Sequence, residues 1–140
     1  MKFRSVLFFL ILILLILFPS CKKKGYAILQ VSISNQSVEY KFWSISYDVN
    51  WAETAGYDCT ILQDELSIVD GSGNAVYSFS FPISISVPAN SSSSRSYSGI
   101  LIGIYYYYDK PVRLRHTLHY SDSESGDIYT SSGDIVIHSE

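Results

Sequence analysis

From Leu29 onward the chain alternates apolar and polar residues with a period of two. Leu29, Val31 and Ile33 alternate with Gln30, Ser32 and Ser34, and Val38, Tyr40 and Phe42 continue the rhythm. Successive side chains on a strand point to opposite sides, so this text predicts strands with one wet face. Trp43, Ile45, Tyr47, Val49 and Trp51 alternate on the other parity. That one-residue phase change predicts a bulge or a switch of sheets. Ala52 to Gly56 reads as a loop. Tyr57, Cys59 and Ile61 begin another strand; Leu66 and Ile68 then take the opposite parity around Gln63-Asp64-Glu65, which predicts a second bulge.

Asp70-Gly71-Ser72-Gly73-Asn74 is the clearest turn, since glycine and asparagine tolerate the positive φ of a tight hairpin. From Ala75 to Val87, aromatic and aliphatic residues alternate with Val76, four serines and Pro82. Pro82 removes a ladder donor, which places this segment at a sheet edge or bends it. Asn90 to Ser96 reads as a serine-rich loop, and Tyr97 to Tyr108, apolar on both parities, as a central strand covered on both sides. Asp109-Lys110-Pro111 turns the chain. Val112, Leu114, His116, Leu118 and Tyr120 then face one way, and Arg113, Arg115, Thr117 and His119 the other. After an acidic loop from Ser121 to Asp127, Ile128 to Ile137 supplies a last strand broken near Gly133. About seven strands with turns at regular spacing predict an all-β, two-sheet antiparallel sandwich, with a small closed barrel as the alternative. Leu66 to Val76 is similar to a hairpin of immunoglobulin-like bacterial surface domains, which implies an immunoglobulin-like arrangement.

The amino terminus follows different rules. Lys2 and Arg4 precede thirteen consecutive apolar residues, Val6 to Phe18, and then Pro19-Ser20-Cys21. This is the layout of a secretory signal, with a positive start, a short apolar core and a small residue before the cut. As a helix, Val6 to Ser20 covers about 22 Å, short of the roughly 30 Å hydrocarbon core of a bilayer. Leu17-Phe18-Pro19-Ser20-Cys21 resembles the lipobox of bacterial lipoproteins. Phe18 stands where that family usually has leucine, and proline is uncommon at position 19. The resemblance implies diacylglycerol on the Cys21 thiol, cleavage just before it, and a lipid-anchored, palmitate-type lipoprotein of the cell envelope. It divides the chain into a signal peptide with its signal helix (1–20), a lipidated tether (21–25) and a β-sandwich domain (26–140). If Cys21 is acylated, Cys59 has no intramolecular partner; a Cys21–Cys59 disulfide is the competing arrangement.

Composition reinforces the β reading, with 12 tyrosines and 7 phenylalanines in 140 residues. The formal charge of −3 conceals an asymmetry. From Gly25 onward five basic residues face thirteen acidic ones, a balance of −8. An acidic body excludes nucleic acid as a partner on electrostatic grounds. Lys22, Lys23 and Lys24, beside the proposed anchor, suit anionic lipid headgroups or a solvated tether.

Motifs for chemistry are thin. His116 and His119 lie three apart on a strand and point to opposite faces, so they do not chelate one metal ion. Asp122, Glu124 and Asp127 have oxygen ligands near Gly126 but lack the distal bidentate glutamate of an EF-hand loop. No Gly-x-Ser-x-Gly elbow or phosphate-binding glycine loop occurs. No cofactor is expected, and the chain reads as a non-enzymatic interaction or structural module, with a carbohydrate-binding module and a metal-binding protein or enzyme as the alternatives. Aromatics are the enriched feature. Trp43, Trp51, Tyr106 and Tyr108 are the candidate contacts for an envelope protein or a glycan. A carbohydrate-binding module would show coplanar exposed aromatics, and a protein-binding module an apolar patch or an unpaired edge strand.

Overall fold

A computed structural model describes residues 25–39, 44–100 and 112–138. Seven strands fill these stretches: β1 (Leu29–Glu39), β2 (Ser44–Glu53), β3 (Cys59–Asp70), β4 (Ala75–Val87), β5 (Ser92–Ile100), β6 (Val112–Asp122) and β7 (Ile128–His138). They form two antiparallel sheets, one ordered β1-β2-β5 and the other β4-β3-β6-β7. The protein is an all-β, immunoglobulin-like sandwich. Relative to the constant-type immunoglobulin arrangement, the fourth strand has moved from the first sheet to the second.

The period-two pattern sets which face is buried. Ile45, Tyr47, Val49 and Trp51 of β2 turn inward against Val112, Leu114, Leu118 and Tyr120 of β6, all nearly solvent-free. The phase change between Ile61 and Leu66 is a bulge: the pairing of β3 slips between Ile61 and Gln63 toward both neighbours. After that slip Asp64 inherits the inward parity of Leu66 and Ile68. The Asp70–Asn74 turn forms as expected. Asp70 Oδ1 accepts from the N–H groups of Ser72 and Asn74, both at 2.9 Å, and Gly73 takes a φ of 88°.

Four expectations are corrected. Asn90 to Ser96 is not all loop, because β5 begins at Ser92 and pairs with β2 along its whole length. The described part of Tyr97 to Tyr108 lies on β5, an edge strand of its sheet rather than a central one. The phase change after Phe42 separates two strands of the same sheet, β1 and β2, so the chain does not switch sheets there. β7 does not break at Gly133. That residue is where β1 approaches most closely: a Cβ there would lie 3.3 Å from Ser32 Cα and 3.3 Å from Ile33 Cγ1. Pro82 behaves as predicted, on the edge strand β4.

The sheets differ by one strand, and this sets the shape of the surface. β1 lies beside β7, β2 covers β6 through Tyr47 and His116, and β5 covers β3 through Tyr97 and Asp64. Among the described residues no strand lies over β4. Its inner face is buried at Val87 but opens toward the other end, where Tyr77 and Phe79 are 55% and 54% exposed. The four-stranded sheet overhangs.

Candidate functional site

Of the sequence-derived contact residues, only Trp51 falls within the described residues. Trp43, Tyr106, Tyr108 and the lipidation candidate Cys21 lie outside them. Trp51 is 5% exposed and packs in the core. It borders a shallow groove of about 570 Å³ on the outer face of the three-stranded sheet, lined by Gln30, Ser32, Asn50 and Ser94. At that exposure it offers a sliver of surface and no ring face to stack on, so it is corrected from ligand contact to core residue. The groove holds no titratable side chain. It is a hydroxyl- and amide-lined depression without acid–base chemistry.

The exposed aromatics are instead on the overhang. Tyr77, Phe79 and Phe81 share the inner face of β4, with Ser78, Ser80 and Pro82 on the outer face. Phe79 and Phe81 have ring centroids 5.7 Å apart at an interplanar angle of 44°. Their planes diverge too far to make one flat stacking platform. β4 is bonded to β3 alone among the described strands and carries no charged residue along its 13 positions. Natural edge strands are usually blunted by charge, shortness or cover, because their free N–H and C=O groups recruit other chains. β4 has only Pro82 for that purpose. The sequence pattern displayed this face, but alternation alone does not tell which strand lacks a partner sheet.

A second cluster is polar, with Tyr47, Asp64 and His116 buried and Tyr97 half-buried. Asp64 on β3 and His116 on β6 are both 0% exposed, and His116 Nε2 contacts Asp64 Oδ1. Across the sandwich, Tyr97 donates its hydroxyl to Asp64 Oδ2, and Tyr47 Oη lies 3.2 Å from His116 Nδ1. Tyr47 and Tyr97 stack at 5.6 Å. Burial pushes both phenols well above their ordinary value, and the neighbouring Asp64 carboxylate adds to the effect. They therefore stay protonated and act as donors. Tyr97 thus donates to the Asp64 carboxylate, and the Tyr47 hydroxyl pairs with Nδ1 of the His116 ring. The two tyrosines of the three-stranded sheet thereby tie it to Asp64 and His116 of the other. His116 shares the inward parity of Leu114 and Leu118, as the alternation of β6 predicts, and Asp64 of the predicted bulge joins it in the core.

A third cluster gathers where the described chain begins. Glu53, at the end of β2, is 3% exposed and accepts four main-chain N–H bonds: from Ile28 (3.1 Å), Ala55 (2.8 Å), Gly56 (2.8 Å) and Asn90 (2.9 Å). Burial alone would raise its pKa, but these four donors outweigh it and hold the carboxyl at about 2. Asp122, at the end of β6, is 1% exposed and accepts from Ala27 (2.7 Å), Glu124 (2.8 Å) and Ser125 (2.8 Å). The N–H groups of Ser125 and Ala27 are the main causes that lower its pKa. Leu29 N–H donates to the Tyr120 hydroxyl at 3.3 Å, and Tyr26 stacks on Tyr129 at 5.0 Å. The acidic loop considered for calcium thus uses its first carboxylate to hold backbone.

Outside these clusters, Glu65 on the outer face of β3 receives the hydroxyls of Ser67 and Ser78 and lies 3.0 Å from His119 Nε2. His119 faces out, as its parity predicted. Cys59 is 1% exposed, and burial, followed by the charges of Glu53, Asp122 and Asp58, pushes its thiol up to about 11. Among the described residues no group of three or more His, Cys, Asp or Glu side chains is placed to hold a metal ion.

The described strands define a seven-stranded, two-sheet antiparallel β-sandwich. Two solved structures share this architecture. A protein from Bordetella pertussis described as ApaA superposes with a TM-score of 0.58 at 12% identity, covering 80% of this chain and 94% of that one. A structural-genomics target solved by X-ray crystallography superposes with a TM-score of 0.52 at 12% identity, covering 81% and 85%. At such identity the likeness extends to the fold alone. No protein-family model and no curated protein matches the chain.

Proposed function

We propose that the protein is an exported lipoprotein, held at a membrane of the cell envelope through Cys21, that works as a non-enzymatic interaction module. The observation that carries the interaction reading is the inner face of β4, over which no described strand lies and where Tyr77 and Phe79 are exposed. The occupant that fits it is an extended segment of an envelope protein, added as a further strand along the free edge of β4. Main-chain bonds would supply affinity, and large apolar side chains at alternate positions would meet Tyr77, Phe79 and Phe81. With no charge on β4, recognition is apolar and hydroxyl-based. The address rests on the n-region, the thirteen-residue apolar run and the lipobox-like residues around Cys21.

The test is site-specific photo-crosslinking in intact cells, with the crosslinker at position 79 or, on the opposite face, at position 80. The expected result is one discrete heterologous adduct from position 79, lost on Tyr77→Lys, while the melting temperature of that variant stays within a few degrees of the parent. Truncating an aromatic anchor at such a contact costs at least tenfold in affinity. Adducts of equal strength from both faces, or adducts only between copies of this chain, would overturn the reading.

A further inference from the structure

The three residues between Cys21 and Gly25 permit little separation between lipid and fold. Four Cα steps span at most about 14 Å. The segment just beyond this tether is held firmly. Ala27 and Ile28 donate to the buried carboxylates Asp122 and Glu53, and Ala27 itself is 0% exposed. The strands are antiparallel, so one end of the sandwich collects this segment with the loops 54–58, 88–91 and 123–127, and the Asp70–Asn74 turn lies at the other end. The 13 residues of β4 put the two ends about 40 Å apart.

We infer that the domain stands on the lipid surface on this end, with loops 54–58, 88–91 and 123–127 against the headgroups and the Asp70–Asn74 turn held away from the membrane. The inference rests on the lipid-anchor reading above. A flexible linker would let the body tumble; a tether this short, entering a segment fixed by two buried carboxylates, does not. Charge shapes the contact. The end carries exposed Asp58, Glu124 and Asp127, and the three arginines among the described residues, Arg95, Arg113 and Arg115, lie within strands. Anionic headgroups alone would repel such an end; the three positive charges of Lys22, Lys23 and Lys24, next to the anchor in sequence, offset that repulsion. The exposed part of β4, Tyr77 and Phe79, then sits on the membrane-distal half, within reach of a partner.

The experiment uses the full lipidated chain reconstituted into vesicles of zwitterionic and anionic phospholipid. A fluorophore is placed at Ser125→Cys or Ser72→Cys, and buried Cys59 remains unlabelled under native conditions. A quencher attached to lipid headgroups should quench the Ser125 label at least threefold more than the Ser72 label. Inserting ten Gly/Ser residues after Lys24 should erase that difference while the protein still floats with the vesicles. Equal quenching without the insertion, or stronger quenching at Ser72, overturns the orientation and leaves the anchor standing. Failure of the unmodified chain to float, with the same recovery as Cys21→Ser, overturns the anchor reading and the orientation with it.

Discussion

The Asp64 carboxylate and the His116 imidazole meet between β3 and β6 with neither side chain exposed to solvent. Removing one partner leaves the other polar group buried without its contact, which costs about 1–3 kcal/mol. Asp64→Ala and His116→Ala should each lower stability by that amount in urea unfolding. Asp64→Leu combined with His116→Leu should cost less than the two single losses added together, because neither buried group is left without the other. Singles that lose less than about 1 kcal/mol would show that the pair does not hold the sheets together.

Glu53 provides a pH signature. Its carboxyl sits at about 2 in the folded chain against an ordinary 4.5. A depressed carboxylate stabilises the fold fully above its unfolded value, and that contribution disappears as pH falls from 4.5 toward 2. Melting temperature should therefore drop across this window in the parent and drop less steeply in Glu53→Gln. That variant should also be less stable at pH 7 by about 2–3 kcal/mol, since N–H donors lose their charged acceptor. Parallel curves for the two proteins would contradict the assignment.

Cys59 titrates in the other direction. Its thiol is raised from 9.0 to about 11, so its contribution to stability is complete below 9.0 and lost as pH rises to about 11. At pH 7 the thiolate is scarce and enclosed, so an aromatic disulfide reagent should react with the native protein at less than a hundredth of the rate seen in denaturant. Rapid native labelling would show that the β3 end opens readily.

Close approach at Gly133 leaves no room for a branched side chain. Gly133→Val should destabilise the protein by about 1–3 kcal/mol, because the new methyls drive into Ser32 and Ile33 of β1. Gly73→Ala in the hairpin has open space around it but a φ of 88°, so its smaller cost would come from backbone strain alone. Chemical denaturation of the two variants distinguishes crowding from strain.

For the anchor, metabolic labelling with a fatty-acid analogue should mark the wild-type chain and leave Cys21→Ala unmarked. The mature product should begin at Cys21 by mass spectrometry. An intact, unacylated amino terminus would remove the envelope placement.

Most strands were legible because β1, β2, β4 and β6 carry their apolar residues at alternate positions. β5 was not. Its inward positions are Ser93, Arg95, Tyr97 and Gly99, set by pairing with Trp51, Val49, Tyr47 and Ile45 of β2. A strand whose inner face is mostly polar shows no periodicity; only its neighbour defines it. Asp64 was legible in principle, since the phase change beyond Ile61 gives it the parity of Leu66 and Ile68. Trp51 shares the parity of Ile45, Tyr47 and Val49, and that parity marks core more reliably than aromatic character marks a ligand site. Glu53 and Asp122 look like ordinary loop acids in the sequence; each caps its own turn, and the distant N–H groups of Ile28, Asn90 and Ala27 that complete their burial leave no local signal. The overhang depends on how many strands each sheet receives, which is a property of topology.

The grip of Asp122 and Glu53 on Ala27 and Ile28 also determines how the domain bears mechanical load. A tug arriving from the amino-terminal side meets those two side chains and the Tyr120 hydroxyl before it reaches the β1–β2 ladder. Traction is thereby shared with the ends of two further strands, β2 and β6, and does not peel one edge strand from its sheet. The sandwich is braced where it would be pulled.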